Sequence, residues 1–146
     1  MTICSHLTPT IFAKRVVDAF KGIPNTQVNV HDEDWAREKG MNVYLSVTEG
    51  SEEPAKFVEI QYNGAPADAN APVLGLVGKG VCFDTGGISL KPGAGMGDMR
   101  SDMGGFAAVV SAVRAIAQLK VPINLVAAGP LVENMPDGKA TKVSRR

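Results

Sequence analysis

The stretch from Val73 to Leu119, VLGLVGKGVCFDTGGISLKPGAGMGDMRSDMGGFAAVVSAVRAIAQL, decides how this chain folds. It opens with the apolar run Val73–Val77, which predicts a strand buried on both faces of a sheet. It closes with Gly104–Leu119, where apolar residues recur at helical spacing and form a single stripe. Between the two lies a glycine-rich stretch with several charged residues. A strand, a polar loop and a helix in this order indicate an α/β unit.

The rest of the chain supplies further strands and helices around this unit. Thr8 and Pro9 predict a helix start, because threonine caps well and proline suits the first helical position. This helix ends at Gly22, and a second, short helix is capped by Asp32 or Asp34 and ends near Gly40. Further strands are predicted at Gln27–His31, Phe57–Tyr62 and Pro122–Leu131. Loops are predicted at Ala65–Ala71 and Glu133–Arg146, and the segment Met41–Val47 fits either a helix or a strand. This pattern predicts an α/β fold with a mixed, partly parallel sheet flanked by helices.

The composition argues against several classes of protein. The 146 residues suffice for about one domain with a real core. Basic and acidic residues number 15 each, so charge gives no reason to expect nucleic acid or an anionic membrane as a partner. No apolar run approaches the ~20 residues of a membrane helix, and the N-terminus lacks a secretory signal pattern. The cysteines, Cys4 and Cys82, are too few for a disulfide framework, which favours reduced thiols in a cytosolic protein.

The charged residues of the loop are the candidate functional groups. Lys79 and Asp84 follow the strand Val73–Val77, and ligands collect beyond the carboxyl ends of strands in open α/β sheets. Two aspartates brought together by the loop can bind a divalent cation, and a lysine can join them only as a neutral amine. The alternatives stay open at this point: Asp102 also suits a helix cap, and Lys79 and Lys91 also fit solvated surface lysines.

Other catalytic patterns are missing or weak. The glycines near Gly93 do not form a G-x-x-x-x-G-K-[ST] phosphate loop, and no G-x-S-x-G element marks a serine nucleophile. His6 and His31 are far apart in sequence and have no partner motif, so we interpret both as incidental histidines rather than ligands.

Three motifs carry a resemblance to a known family: GKGVCFDTGGISLKP from Gly78, MRSDMGG from Met99, and PINLVAAGPLVENMPDGKA from Pro122. In this order they closely resemble the leucine aminopeptidases, or cytosol aminopeptidases, two-metal exopeptidases that remove N-terminal residues from peptides. The resemblance runs from about Leu7 to Lys142. It implies that residues 1–146 form a single partial catalytic domain, part of a three-layer α/β architecture.

The resemblance also implies residue roles. Lys79, Asp84 and Asp102 match metal ligands of the family, with Asp84 shared between two divalent ions. Lys91 matches the lysine that polarises the substrate carbonyl or stabilises the tetrahedral intermediate, and Met99 matches a residue of the substrate side-chain pocket. These five residues form the expected substrate-binding set. The implied ions are zinc or manganese, with magnesium as a third candidate, and they activate a water molecule.

Parts of the family pattern are absent from the 146 residues. The family's Asn-Thr-Asp-Ala-Glu-Gly-Arg motif, which supplies further ligands and an arginine, does not occur, and the family's Asn-Met-Asp is replaced by Gly95-Met96-Gly97. We therefore expect the N-terminal domain and the C-terminal half of the catalytic domain to be absent, the metal site to be incomplete and a strand edge to be exposed.

The resemblance implies partners and a location as well. It implies peptide substrates, a homohexamer or association with full-length subunits, and a cytoplasmic location, with no nucleic acid and no membrane. The alternative to an aminopeptidase is a non-catalytic chain that associates with full-length aminopeptidase subunits.

Overall fold

Among the residues that the structure describes, the strands form one five-stranded sheet. A computed structural model describes residues 7–66 and 72–142. Along the chain the elements are α1 (Pro9–Phe20), β1 (Thr26–His31), α2 (Glu33–Glu38), α3 (Asn42–Thr48), β2 (Lys56–Asn63), β3 (Val73–Val77), β4 (Gly80–Asp84), a 3-10 helix (Met96–Ser101), α4 (Gly104–Gln118) and β5 (Asn124–Asn134). The predicted α/β class is confirmed.

The long strand β5 organises the sheet. Strand β2 pairs with one edge of β5 and β1 pairs with β2, both in antiparallel register. On the other edge of β5, β3 and β4 follow one another, and both run parallel to it. The sheet is therefore mixed and partly parallel, as the sequence predicts, and β4 and β5 end together at Asp84 and Asn134.

The core lies on the face of the sheet that α1 and α4 cover. Its largest fully buried side chains include Phe106, Ile60 and Leu125, and the Phe106 ring meets Phe12 of α1 edge to face at 5.8 Å between centroids. The ring also lies directly over Gly129 of β5, where any side chain would collide with it. Helix α4 can therefore approach the sheet closely at this point.

Two helix caps predicted from the sequence are confirmed. Thr8 caps α1, because its Oγ1 accepts a hydrogen bond of 3.4 Å from the Ile11 backbone N–H. At α2 the cap is Asp32 rather than Asp34, and its carboxylate accepts from the Trp35 N–H at 3.0 Å. The ambiguous segment 41–47 is helical, since α3 covers most of it.

Strand β3 is where the sequence-based prediction of burial is wrong. Val73 is 60% exposed and Val77 is 77% exposed, although the apolar run predicts a strand buried on both faces. Within residues 7–66 and 72–142, β3 pairs along one edge only, with β5. The apolar run indicates that the strand suits burial, but among the described residues Val73, Leu74 and Val77 stay exposed to solvent.

Other boundaries also differ from prediction. A break at Gly78 and Lys79, which was not predicted, separates a second strand, β4, from β3. Strand β5 runs on to Asn134, so Glu133 and Asn134 belong to the sheet rather than to the predicted C-terminal loop. Predictions for Cys4, His6, residues 67–71 of the Ala65–Ala71 loop and residues 143–146 fall outside the described residues.

Substituting Gly129 should reveal how tightly α4 packs on the sheet. A β-carbon at Gly129 would lie 2.3 Å from Phe106 Cδ2, so Gly129→Ala overpacks the core and should lower the free energy of unfolding by roughly 1–3 kcal/mol. Urea unfolding followed by circular dichroism measures the loss. Gly93→Ala is the control, because a β-carbon there meets no described atom within 4 Å, and its effect should stay under about 1 kcal/mol. Equal losses in the two variants would contradict the packing argument.

Candidate metal centre and active site

Asp84 lies at the carboxyl end of β4, beside the end of β5. The register between these strands shifts after Val81, so that Cys82 is an extra residue in β4 and Asp84 pairs with Asn134. Such bulges turn a strand and redirect the side chains that follow, and they are frequent beside active sites. The bulge therefore helps to set the direction of the Asp84 carboxylate.

The Asp84 carboxylate is held by three donors. Lys91 Nζ lies 2.5 Å from Oδ2, while Oδ1 accepts from the Gly86 backbone N–H at 2.9 Å and from Asn134 Nδ2 at 2.8 Å. Burial by itself raises the pKa of Asp84. The hydrogen bond from Lys91, followed by those from Gly86 and Asn134, outweighs burial and lowers the pKa below its ordinary value. The side chain is therefore an ionised carboxylate at neutral pH.

Asp102 and Lys79 form the second polar pair, and helix α4 brings them together. The Phe106 backbone N–H donates to the Lys79 carbonyl at 2.9 Å, and Gly105 packs against the Lys79 backbone. The start of α4 is thereby fixed against the break between β3 and β4. Because Asp102 lies two residues before α4, this contact brings it close to Lys79. The distance between Asp102 Oδ2 and Lys79 Nζ is 3.1 Å.

The Asp102 carboxylate is not fully satisfied. Its Oδ2 is buried, and no hydrogen-bond partner for it exists in the described part of the chain, because the nearby Lys79 amine is at ion-pair distance without hydrogen-bond geometry. The helix-cap interpretation finds no support, since the residue at the N-cap of α4 is Met103 and the described residues provide no side-chain cap there. A buried carboxylate oxygen without a donor costs free energy and suits a bound cation.

Lys91 joins Asp84 to the 3-10 helix that carries Met99. Its Nζ lies 3.1 Å from Met99 Sδ, and its backbone N–H donates to the Thr85 carbonyl at 2.8 Å. Gly86 and Gly87, with φ of +91° and +66°, allow the turn that folds Lys91 back over Asp84. The structure thus brings Lys91, Asp84 and Met99 together, and separately brings Lys79 to Asp102; their chemical roles stay predictions.

Asn134 was missed by the sequence analysis. It lies within the third resembling motif, but no role was assigned to it. The signal that could have found it is topological: β4 and β5 are parallel, so polar residues at their carboxyl ends meet at one edge of the sheet. His31, in contrast, pairs with Glu59 at 2.7 Å and stacks on Trp35, on the strand β1 at the other side of the sheet.

The donor set fits part of a metal shell. Asp84 and Asp102 offer carboxylate oxygens and Lys79 an amine, which suit a hard or borderline divalent ion. Among the residues that the structure describes, no group of three or more His, Cys, Asp or Glu side chains is placed to hold a metal. The unsatisfied Oδ2 of Asp102 is the feature that favours a cation at this position.

These features define a mixed α/β domain with a lysine and aspartate site at the carboxyl ends of its parallel strands. Comparison with known proteins gives its family. Residues 1–145 match the catalytic domain of the cytosol aminopeptidase family. The chain belongs to this family, and the resemblance drawn from its motifs is confirmed.

Relatives of known sequence support the assignment. The chain is 49% identical over 139 residues to the cytosol aminopeptidase of Xenopus tropicalis, covering 94% of this chain and 26% of that protein. It is 46% identical over 142 residues to the cytosol aminopeptidase of Homo sapiens, covering 97% of this chain and 27% of that protein. The chain therefore spans about a quarter of the length of these relatives.

Solved structures show the same fold. The cytosol aminopeptidase of Coxiella burnetii has a TM-score of 0.86 and 28% identity, covering 97% of this chain and 30% of that one. A bottromycin maturation enzyme, BotP, in complex with Mn has a TM-score of 0.85 and 40% identity, with the same coverage.

Within the described part of our chain, no helix has the length and hydrophobicity needed to cross a membrane.

Cys82 should react slowly with thiol reagents. Burial, aided by the charges of Glu133 and Glu53, raises the pKa of its thiol to about 12, so little thiolate forms at pH 8. We expect N-ethylmaleimide, followed by mass spectrometry, to label Cys82 in the Cys4→Ser variant only after unfolding in urea. Rapid labelling of the folded variant would show that β4 is accessible.

Proposed function

We propose that this chain contributes the first part of a two-metal aminopeptidase centre, which releases N-terminal residues, leucine among them, from peptides. The observation that carries the proposal is the buried, unsatisfied Oδ2 of Asp102 beside Lys79, in a chain of the cytosol aminopeptidase family. The Asp84–Lys91 pair supports it from the carboxyl end of β4. Residues 1–146 are, in this proposal, one part of a larger catalytic domain, and the remaining ligands come from outside them.

Lys79, Asp84 and Asp102 are the residues that would hold the ions. When bound, two divalent ions supply Lewis-acid polarisation of the peptide carbonyl and activation of water. Zinc and manganese are the favoured ions, with magnesium as the third candidate, and the manganese complex of the related enzyme BotP supports this choice. Lys79 binds a metal ion only as a neutral amine, so its ammonium must give up a proton when it becomes a ligand.

Lys91 is the proposed catalytic residue. Its ammonium lies 2.5 Å from Asp84 Oδ2, beside the proposed metal ligands, from where it can donate a hydrogen bond to the substrate's carbonyl oxygen. That bond strengthens as negative charge develops on the oxygen. Met99, whose sulfur lies 3.1 Å from Lys91 Nζ, offers a polarizable, adaptable contact for the substrate's first side chain.

We propose a cytoplasmic location for this activity, supported by relatives that are named cytosol aminopeptidases. The proposed partners are peptide substrates and other aminopeptidase subunits, in a homohexamer or together with full-length subunits. Neither nucleic acid nor a membrane is among the proposed partners, in keeping with the zero net charge.

The test separates metal binding from turnover. We expect the purified chain to bind Mn²⁺, and Asp84→Ala and Asp102→Ala to weaken binding by roughly 10-fold or more, because each removes a carboxylate ligand. Any hydrolysis of leucine p-nitroanilide in Mn²⁺ or Zn²⁺ should fall by about 100-fold in Lys91→Ala with little change in metal affinity. Lys14→Ala is the control, because Lys14 pairs with Asp18 on the exposed side of α1. A folded chain that neither binds metal nor turns over substrate would contradict the proposal.

A second candidate function is association with full-length aminopeptidase subunits. The observation that favours it is strand β3, which the described residues pair on one edge only and whose Val73 and Val77 are exposed. An unpaired apolar edge is a template for strand addition by another chain. In this role the chain would alter full-length subunits without catalysing a reaction.

Charges on the exposed side chains of β3 should weaken such association. We expect the tagged chain to co-purify with a full-length cytosol aminopeptidase, and Val73→Lys/Val77→Lys to reduce recovery by roughly 10-fold, since desolvating a lysine at the contact is costly. Val43→Lys is the matched control, because Val43 is 84% exposed on α3, outside the sheet. Equal recovery of both variants, or a monomer that does not co-purify, would exclude association through β3.

A further inference from the structure

Asn134 is the one uncharged side chain that contacts the Asp84 carboxylate among the described residues. Its Nδ2 lies 2.8 Å from Asp84 Oδ1. Because an ionised carboxylate only accepts hydrogen bonds, the amide must present its NH₂ group to Asp84. We propose that Asn134 is a positioning residue, which fixes the Asp84 carboxylate in the orientation that a metal ion requires. This proposal rests on the function proposed above.

The two oxygens of Asp84 have different neighbours. Neutral donors, Gly86 N–H and Asn134 Nδ2, occupy Oδ1, whereas the only donor to Oδ2 among the described residues is the Lys91 ammonium. A carboxylate oxygen has about two lone-pair directions, so Oδ1 is filled and Oδ2 is the oxygen that faces positive charge. Asn134 and Gly86 therefore keep the carboxylate oriented if Lys91 moves away to meet a substrate.

Asn134 is itself firmly held. Its carbonyl accepts from the Thr85 backbone N–H at 3.0 Å and from Thr85 Oγ1 at 2.8 Å. On the other side, the side chain rests against Gly87, where a β-carbon would lie only 2.7 Å from Asn134 Oδ1. The backbone of β5 and the absence of a side chain at Gly87 thus set the position of the amide. Supports of this kind commonly change metal affinity by roughly 10–100-fold when removed.

The first experiment measures Mn²⁺ binding to the 146-residue chain by the loss of the free-ion electron paramagnetic resonance signal. Asn134→Leu, which keeps the approximate shape and removes the donor, should weaken binding by roughly 10–100-fold. Asn124→Leu is the matched control, because Asn124 lies at the other end of β5 and its Oδ1 accepts from the Ala65 N–H at 3.1 Å. Asn124→Leu should leave Mn²⁺ affinity unchanged even if urea unfolding shows that both variants are less stable. Equal affinity in Asn134→Leu and the unsubstituted chain would overturn the proposal.

A second pair of variants displaces Asn134 without altering it. Gly87→Ala pushes against Asn134 Oδ1, whereas Gly95→Ala has a similar positive φ of +82° and meets no described atom within 4 Å. Both variants therefore carry backbone strain, but only Gly87→Ala should weaken Mn²⁺ binding. Combining Gly87→Ala with Asn134→Leu should add little further loss, because both act on one interaction. Equal effects of the two glycine variants would count against Asn134.

A metal-free readout separates this proposal from the proposed function. In the chain without metal, nuclear magnetic resonance should show slow hydrogen exchange of the Asn134 side-chain amide, and Asp84→Ala should abolish that protection. A chain that binds no Mn²⁺ but shows this protection would refute the metal centre while supporting the Asn134–Asp84 contact. Free exchange of the Asn134 amide in the unsubstituted chain would overturn the contact and, with it, the proposal.

Discussion

The position of Phe106 is the constraint on which the rest of the structure depends. Its ring is fully buried between α1 and β5, where Gly129 leaves room for it, and its backbone N–H is bonded to the Lys79 carbonyl. One residue thus fixes the depth of α4 over the sheet and the place where α4 begins. Because Asp102 lies just before that point, the same packing determines that Asp102 meets Lys79. A hydrophobic contact in the core therefore sets a distance in the polar site.

The two carboxylates of the site differ in how well they are satisfied. Asp84 receives donors on both oxygens, and these donors more than offset the cost of its burial, so that its pKa falls. Asp102 keeps a buried oxygen without a donor among the described residues. One carboxylate is therefore oriented in advance by hydrogen bonds, whereas the other has an ion pair with Lys79 but no hydrogen-bond donor on its buried oxygen among the described residues. This asymmetry is what a partly assembled metal site would show, and it is the physical basis of the proposed function.

Much of the fold follows from local sequence patterns. The cap at Thr8, the strand predicted at Phe57–Tyr62 and the apolar stripe of α4 depend on near neighbours in the chain, and the structure confirms each of them. The break at Gly78 and Lys79 was missed, because the bond from Phe106 that stabilises it comes from a distant helix. The burial of β3 was predicted wrongly for a related reason: apolar residues indicate that a strand suits cover but not which residues provide it.

The sequence alone determined the α/β class, the family and the identity of the charged residues in the loop, because motifs and periodicity are properties of neighbouring residues. Tertiary structure decided which of those residues meet. It paired Lys91 with Asp84 and Lys79 with Asp102, and it removed the helix-cap interpretation of Asp102. It also revealed Asn134, which lies 50 residues from Asp84 in the chain. The parallel pairing of β4 with β5 brings these two residues into contact. Pairing between strands that are distant in sequence is set by packing rather than by the local sequence pattern.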